Sequence, residues 1–302
     1  MLERLHVASA SITLNLYLQW VICCCQYGNI RRRIFLNLYY TNQQVIMNKI
    51  IAIANQKGGV GKTTSTVNLA FALGQKKKRV LAIDVDPQSS LTIYYGYDPR
   101  RLEEDEKTLY HALIKDKSLK DIILDASDTK PGLVPSSIRL ASAEPELVSL
   151  WESAGVLREK LDGIKDHYDF ILLDCPPSLT LLTINALAAA HHLLIPVKTD
   201  YLSIMGIPLL LDTVEKLRRR INPNLEVIGV LPTMFNVRNT HDKECLAELR
   251  KSLEPRIQVF ESINRSTAFD KAPVEGKSTL EILPDTPGVQ IYHSLATKII
   301  QL

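Results

Sequence analysis

Apolar runs alternate with amphipathic segments from residue 48 to the end of this chain. Continuous rather than alternating apolar residues predict strands that are buried on both faces, and such runs occupy residues 50–54, 79–84, 168–174, 192–197 and 225–231. Helical spacing follows these runs at residues 63–75, 178–190, 207–221, 241–253 and from about 287 onward. This order predicts an α/β fold, a doubly wound, mostly parallel sheet with helices on both faces, whose ligands bind beyond the carboxyl ends of the strands.

A glycine-rich string, KGGVGKTT, joins the first predicted strand to the first predicted helix. This is the context of a phosphate-binding loop, because glycines let backbone N–H groups turn toward phosphate oxygens and the helix start adds positive dipole charge. We expect Lys62 to reach the β- and γ-phosphates and the Thr63 hydroxyl to bind Mg²⁺. The candidate nucleotide-binding residues of the string are Lys57, Gly58, Gly59, Val60, Gly61, Lys62, Thr63 and Thr64.

The string departs from the pattern G-x-x-x-x-G-K-[ST], because Gln56 replaces the first glycine and a second lysine, Lys57, precedes the glycine pair. In these residues the chain resembles the ParA/MinD ATPases, P-loop NTPases with a deviant Walker A motif. The resemblance implies ATP and Mg²⁺ as cofactors. It also implies an ATP-sandwich homodimer in which Lys57 is catalytic and contacts the phosphates bound by the partner subunit. The alternative is that Lys57 is a solvated lysine.

Aspartates follow two of the predicted strands. Strand alternation is expected to send Asp84 and Asp86 to the same side of the sheet, although Asp86 followed by Pro87 also fits a simple turn. Their DVDPQ string resembles the same family, which implies that Asp84 helps to hold the Mg²⁺ shell and that Asp86 orients or activates the attacking water. Asp174 ends another apolar run and resembles the Walker B aspartate, which meets Mg²⁺ through water.

The resemblance spans residues 48–302. The PTMFN string resembles the family segment near the adenine, and its last residue, Asn236, is therefore an expected nucleotide contact. Two departures concern partner contacts more than nucleotide chemistry. Asp200 stands where the family commonly has Glu, and residues 270–271 read Asp-Lys where the family commonly has Ser-Glu.

Residues 1–46 precede a predicted single ATPase domain at 47–302. Residues 7–30 contain no Asp, Glu, Lys or Arg, and three arginines follow, as the positive-inside rule requires of a signal anchor. Polar residues interrupt the stretch, however, and it lacks a basic n-region and an A-x-A cleavage site. We favour an extension that is disordered or not natively translated, because Met47 lies where chains of the family usually begin. A membrane anchor and an accessory segment stay open.

Charge and cysteine content limit the classes of partner. The formal net charge is only +3, so any nucleic-acid surface must be local. Candidate DNA contacts are Arg218, Arg219 and Arg220, since nonspecific phosphate contacts need charge density rather than base reading. Alternatively, these arginines form a solvated helix end that the helix dipole favours. Five cysteines without C-x-x-C spacing indicate a reducing cytosol.

The expected function is a weak, partner-stimulated ATPase switch. The resemblance implies that it binds nonspecific DNA and segregates plasmid or chromosome DNA with a ParB-like adaptor, as a cytoplasmic, nucleoid-associated protein. One alternative is a MinD-like ATPase that places the division site at the membrane. The final nine residues carry one lysine and no basic amphipathic tail, so no stable membrane association is expected. A second alternative is a ParA-like ATPase that positions a protein cargo.

Overall fold

One six-stranded sheet organises the part of the chain that the computed structural model describes, which comprises residues 48–124, 130–149, 153–254 and 256–302. The strands are β1 (Lys49–Ile53), β2 (Val80–Asp84), β3 (Gly132–Val134), β4 (Phe170–Asp174), β5 (His192–Lys198) and β6 (Glu226–Thr233). Their order across the sheet is β3-β2-β4-β1-β5-β6, and all neighbouring strands are parallel. The predicted parallel α/β sheet is thus confirmed, whereas the prediction for residues 1–46 lies outside the described residues.

Helices connect the strands. They are α1 (Lys62–Gln75), α2 (Ser90–Tyr94), α3 (Pro99–Glu104), α4 (Leu109–Ile114), α5 (Ala143–Val148), α6 (Val156–Asp162), α7 (Leu181–Ala189), α8 (Tyr201–Met205), α9 (Ile207–Arg220), α10 (Thr240–Leu253), α11 (Ala268–Lys271), α12 (Thr279–Ile282) and α13 (Pro287–Ile300). Among the described residues, no helix has both the length and the apolar character needed to cross a bilayer.

The two faces of the sheet support two separate apolar cores, as the alternation of side chains along β1 illustrates. Ile50 and Ala52 pack into a core that includes α4, α7 and α9. Ile51 and Ile53 pack into the opposite core, which includes α1 and α13. Full burial of one such isoleucine contributes about 1.5–3 kcal/mol. Helices therefore cover both faces, and this explains why the strands read as continuous apolar runs.

Two strands differ from the predicted pattern for local reasons. β3 has only three residues, too few to give a periodic signal, yet it pairs with β2 along its whole length. β6 continues through Pro232 to Thr233, beyond the predicted end at residue 231. Proline cannot donate a ladder hydrogen bond and is accommodated here because β6 is an edge strand of the sheet.

The strand register brings the candidate site together. Asp84 at the end of β2 pairs in register with Asp174 at the end of β4, and Asp174 in turn pairs with Ile53 at the end of β1. The glycine-rich string starts four residues beyond Ile53. Its loop and the two aspartates therefore share the carboxyl edge of the sheet, where ligands of such folds bind.

Candidate nucleotide-binding site

The glycine-rich string forms a loop that leads directly into α1. Gly59 and Gly61 have positive φ angles of 67° and 80°, which are readily available only to glycine, and Gly61 is the residue that precedes the helix. Within the described part of the chain, the N–H groups of Gly59, Gly61 and Lys62 have no hydrogen-bond acceptor. Unpaired donors at the start of a 14-residue helix are suited to bind an anion such as a phosphate group.

The two lysines of the loop have different surroundings. Lys62 is buried, and its Nζ donates to the backbone oxygen of Lys57 over 3.1 Å. Burial lowers the pKa of Lys62, and the charges of Asp174 and Asp86 partly offset this effect. The Lys57 side chain is 40% exposed, and its Nζ lies 3.0 Å from Asp200 Oδ1. Lys62 is thus placed inside the loop, whereas Lys57 is held at its rim.

Asp174 is the carboxylate that contacts the phosphate-binding helix. It is fully buried and accepts hydrogen bonds from Thr63 Oγ1 at 2.7 Å and from Thr66 Oγ1 at 3.2 Å. Burial raises the pKa of Asp174 to about 7, against the opposing effects of the Thr63 hydroxyl and the Lys62 charge. Bound Mg²⁺ commonly takes a hydroxyl, phosphate oxygens and waters, with a carboxylate nearby. Thr63 and Asp174 offer a hydroxyl and a carboxylate, the two kinds of side chain that this set requires.

The remaining magnesium ligands must come from the nucleotide and from water. Among the described residues, no group of three or more His, Cys, Asp or Glu side chains could hold a metal ion by itself. Mg²⁺ usually keeps several waters and binds proteins through one or two side chains together with substrate phosphates. The donor set around Thr63 therefore fits a magnesium ion that arrives with a nucleotide.

Asp84 is directed toward the segment that follows its own strand. Its Oδ2 accepts hydrogen bonds from Thr92 N at 2.8 Å and Thr92 Oγ1 at 2.7 Å, and its Oδ1 accepts one from Asp86 N at 3.2 Å. Burial and the neighbouring charge of Asp174 raise the pKa of Asp84 well above its ordinary value, although the Thr92 bonds oppose this shift. The structure thus places Asp84 beside Asp174 in the sheet, with its side-chain hydrogen bonds made to Asp86 and Thr92.

Asp86 lies beyond the strand rather than in it. β2 ends at Asp84, so the alternation argument that placed Asp84 and Asp86 on one side does not apply. Asp86 instead opens a turn in which its backbone oxygen accepts from Ser89 N and its Oδ1 accepts from Gln88 N, both at 2.9 Å. The charge of Asp86 still acts on Lys62 and Asp174, whose pKa values it raises. The turn therefore keeps this carboxylate within the electrostatic reach of the phosphate site.

An open cleft of about 470 Å³ adjoins the loop at Gly61 and Thr64. Asn236 lines this cleft, as do Met234 and Arg265. Its position continues from the phosphate loop along the end of β6, where the sequence predicts the adenine. The cleft thus joins the phosphate loop to the segment in which the sequence predicts a nucleotide contact.

Sequence reasoning missed the residue that organises this cleft, Asp242. Its Oδ2 accepts from Asn236 N at 2.9 Å, and its Oδ1 accepts from Asn239 Nδ2 at 2.7 Å. Asn239 also caps α10 by accepting from His241 N at 3.0 Å. The available signal was an asparagine followed by an acidic residue in the first helical turn, which is typical of a helix start.

The three candidate DNA contacts lie far along α9 from the loop. α9 runs back from the carboxyl end of β5 to the amino end of β6, so its last residues lie at the opposite edge of the sheet from the nucleotide site. Arg218 and Arg219 contact Glu215 at 3.4 Å and 3.1 Å, while Arg220 is exposed. One carboxylate therefore offsets part of the positive charge of this patch.

The fold and the loop together define a P-loop ATPase. The AAA domain family matches residues 48–227. The chain is 39% identical over 254 residues to the sporulation initiation inhibitor protein Soj of Bacillus subtilis, and the match covers 84% of this chain and 98% of Soj. It is 35% identical over 254 residues to the chromosome partitioning protein ParA of Myxococcus xanthus, covering 84% of this chain and 88% of ParA.

A solved structure of similar fold supports the assignment to the P-loop ATPases. The crystal structure of cobyrinic acid a,c-diamide synthase from Mycobacterium smegmatis with bound ADP and magnesium matches with a TM-score of 0.73 and 29% identity, covering 84% of this chain and 95% of that one. The chain belongs to the AAA domain family and to the ParA/Soj partition ATPases. Its cofactors are ATP and Mg²⁺, so the family and the cofactors expected from the sequence are confirmed.

Proposed function

We propose that this chain is an ATP-dependent switch that segregates DNA. ATP closes a homodimer, the dimer binds DNA without regard to sequence, and hydrolysis releases it. The observation that carries this proposal is the position of Lys57. Lys62 already occupies the inside of its own phosphate loop, whereas Lys57 is a second, half-exposed ammonium group at the rim. A rim position suits a lysine that acts on the phosphates of a partner subunit.

The proposed chemistry assigns one task to each residue of the site. Lys62 and the loop N–H groups bind the phosphates, and Thr63 together with Asp174 would hold Mg²⁺. When bound, Mg²⁺ neutralises charge on the β- and γ-phosphates. Asp86 orients or activates the attacking water, for which its turn position and its charge near Lys62 are suitable. Asn236 and its cleft receive the base and ribose.

The partners of the switch follow from the same proposal. Intrinsic hydrolysis is weak, and a ParB-like adaptor on the cargo DNA stimulates it. The dimer contacts DNA through Arg218, Arg219 and Arg220, whose contacts with phosphates need no base recognition. Such a protein works in the cytoplasm on the nucleoid. The carboxylate of Glu215 beside two of these arginines limits their contribution.

Trapping the switch between binding and hydrolysis tests the proposal. Asp86→Ala keeps the loop lysines and N–H groups, so it should bind ATP and Mg²⁺, form the dimer and remain on nonspecific DNA, with ATP turnover reduced about 100-fold or more. The measurements are ATP turnover, solution mass with ATP and binding to a random-sequence duplex. Asp285→Asn, an exposed aspartate far along the chain, is the control. Normal turnover by Asp86→Ala, or a monomer in the presence of ATP, would contradict the proposal.

A further inference from the structure

Thr92 is a fully buried polar residue in α2 whose hydroxyl both donates and accepts a hydrogen bond. Its hydroxyl donates to Asp84 Oδ2 at 2.7 Å, and its backbone N–H donates to the same oxygen at 2.8 Å. The hydroxyl oxygen also accepts from Ser136 N at 2.8 Å, just beyond β3. Thr92 thus joins α2 to the end of β2 and to the segment just beyond β3.

These bonds fix the turn that carries Asp86. Asp84 Oδ1 accepts from Asp86 N at the beginning of the turn, while Asp84 Oδ2 is held by Thr92 at its end. Between them, Ser89 adopts a positive φ of 57°, a conformation that costs energy in a residue other than glycine. Such a backbone persists only when its surroundings hold it in place. Ser89 N donates to the backbone oxygen of Asp86 at 2.9 Å within the turn. The Asp84 carboxylate bonds both ends of the turn, and Thr92 orients this carboxylate.

We propose that Thr92 is a positioning residue for ATP hydrolysis. It sets the orientation of Asp84 and, through the closed turn, the place of Asp86 beside the phosphate site. The inference rests on the proposed function, in which Asp86 handles the attacking water. Without the Thr92 hydroxyl, Asp84 Oδ2 keeps only the backbone N–H, and Ser136 N loses its acceptor. The end of the turn at Thr92 is then held by one hydrogen bond to Asp84 instead of two.

Three variants separate positioning from folding. Thr92→Val removes the hydroxyl while keeping the shape and the backbone N–H, and Thr92→Ser keeps the hydroxyl. Thr297→Val is the matched control, because Thr297 in α13 is exposed and its hydroxyl donates to the backbone oxygen of His293 within the same helix. We expect Thr92→Val to lower kcat about tenfold or more while the dissociation constant of a fluorescent ATP analogue changes less than about twofold. Thr92→Ser and Thr297→Val should remain within about twofold of the unmodified protein.

A second readout does not depend on activity. In nucleotide-free protein, amide hydrogen exchange of residues 85–91 should accelerate in Thr92→Val and remain unchanged in Thr92→Ser. If Thr92→Val does not fold, Thr92→Cys replaces it, since a thiol is a weaker donor in a similar volume. Unchanged kcat and unchanged exchange in the folded variant would overturn the inference. Absence of ATPase activity in the unmodified protein would instead contradict the proposed function.

Discussion

Lys57 Nζ and Asp200 Oδ1 lie 3.0 Å apart within one subunit. Asp200 also caps α8 by accepting from Ser203 N at 2.8 Å, and Lys198 Nζ lies 3.2 Å from its other oxygen. Lys57 must leave this ion pair before it can reach the phosphates of a partner subunit. Formation of the Lys57–Asp200 ion pair therefore competes with formation of the proposed dimer.

Loss of the Asp200 charge should favour dimerisation. Asn is as good a helix cap as Asp, so Asp200→Asn keeps the start of α8 and removes the ion pairs with Lys57 and Lys198. Because Lys57 is well exposed, solvent screening limits the effect to roughly 1 kcal/mol or less, equivalent to about fivefold in the ATP-dependent dimer dissociation constant. Analytical ultracentrifugation with ATP measures this constant, with Asp285→Asn as the control. Weaker dimerisation of Asp200→Asn would show that the pair supports the dimer.

Asp200 should also make the stability of the protein depend on pH. Burial opposes ionisation of Asp200, but the Ser203 N–H and the Lys57 and Lys198 ammonium groups outweigh it, so the pKa of Asp200 lies below its ordinary value. A carboxylate whose pKa is lowered by folding stabilises the protein above its unfolded-state pKa, and this stabilisation is lost as the pH falls through the folded-state pKa.

Urea unfolding at several pH values should detect that loss. The difference in unfolding free energy between the unmodified protein and Asp200→Asn should be constant from about pH 8 to about pH 5 and should shrink below about pH 4. Its size at neutral pH should be roughly 1 kcal/mol or less, given the exposure of Lys57. A difference that grows as the pH falls toward 4 would mean that Asp200 is not stabilised as a carboxylate.

DNA binding should depend on the balance of charge at the end of α9. Replacement of Arg218, Arg219 and Arg220 by Ala should weaken ATP-dependent binding and flatten its dependence on salt, because fewer counterions are released. Glu215→Gln should strengthen binding, since it frees the guanidinium groups of Arg218 and Arg219. Glu248→Gln, at an exposed position of α10, is the control. Fluorescence anisotropy with a random-sequence duplex from 50 to about 200 mM salt measures both effects. Unchanged binding in both variants would place the DNA surface elsewhere.

The phosphate loop and the sheet were predictable from local sequence. The KGGVGKTT string alone predicts the loop conformation, because its glycines permit the positive φ angles that Gly59 and Gly61 adopt. The long apolar runs gave five of the six strands, because strands covered on both faces carry a continuous apolar signal. The three-residue β3 produced no apolar signal of its own, because its place in the sheet depends on pairing with β2.

Contacts between distant residues were not predictable. The Lys57–Asp200 pair spans 143 positions and the Thr92–Ser136 bond spans 44, so neither leaves a pattern in a sequence window. Asp86 illustrates a second limit. Strand alternation placed it beside Asp84, but β2 stops at Asp84 and a turn begins, as the alternative based on Pro87 indicated. Short-range turn chemistry thus outweighed a pattern that holds only inside a strand.

The central claim, that Lys57 acts across a dimer while Lys62 acts in its own site, is tested most directly by comparing two substitutions. Lys62→Ala should abolish binding of a fluorescent ATP analogue, and Lys57→Ala should bind it within about threefold of the unmodified protein but remain monomeric with ATP or lose dimer-dependent hydrolysis. Lys76→Ala, at the exposed end of α1, is the control. Nucleotide affinity and solution mass with ATP are measured on the same samples. Equal loss of nucleotide binding in both variants would contradict the account.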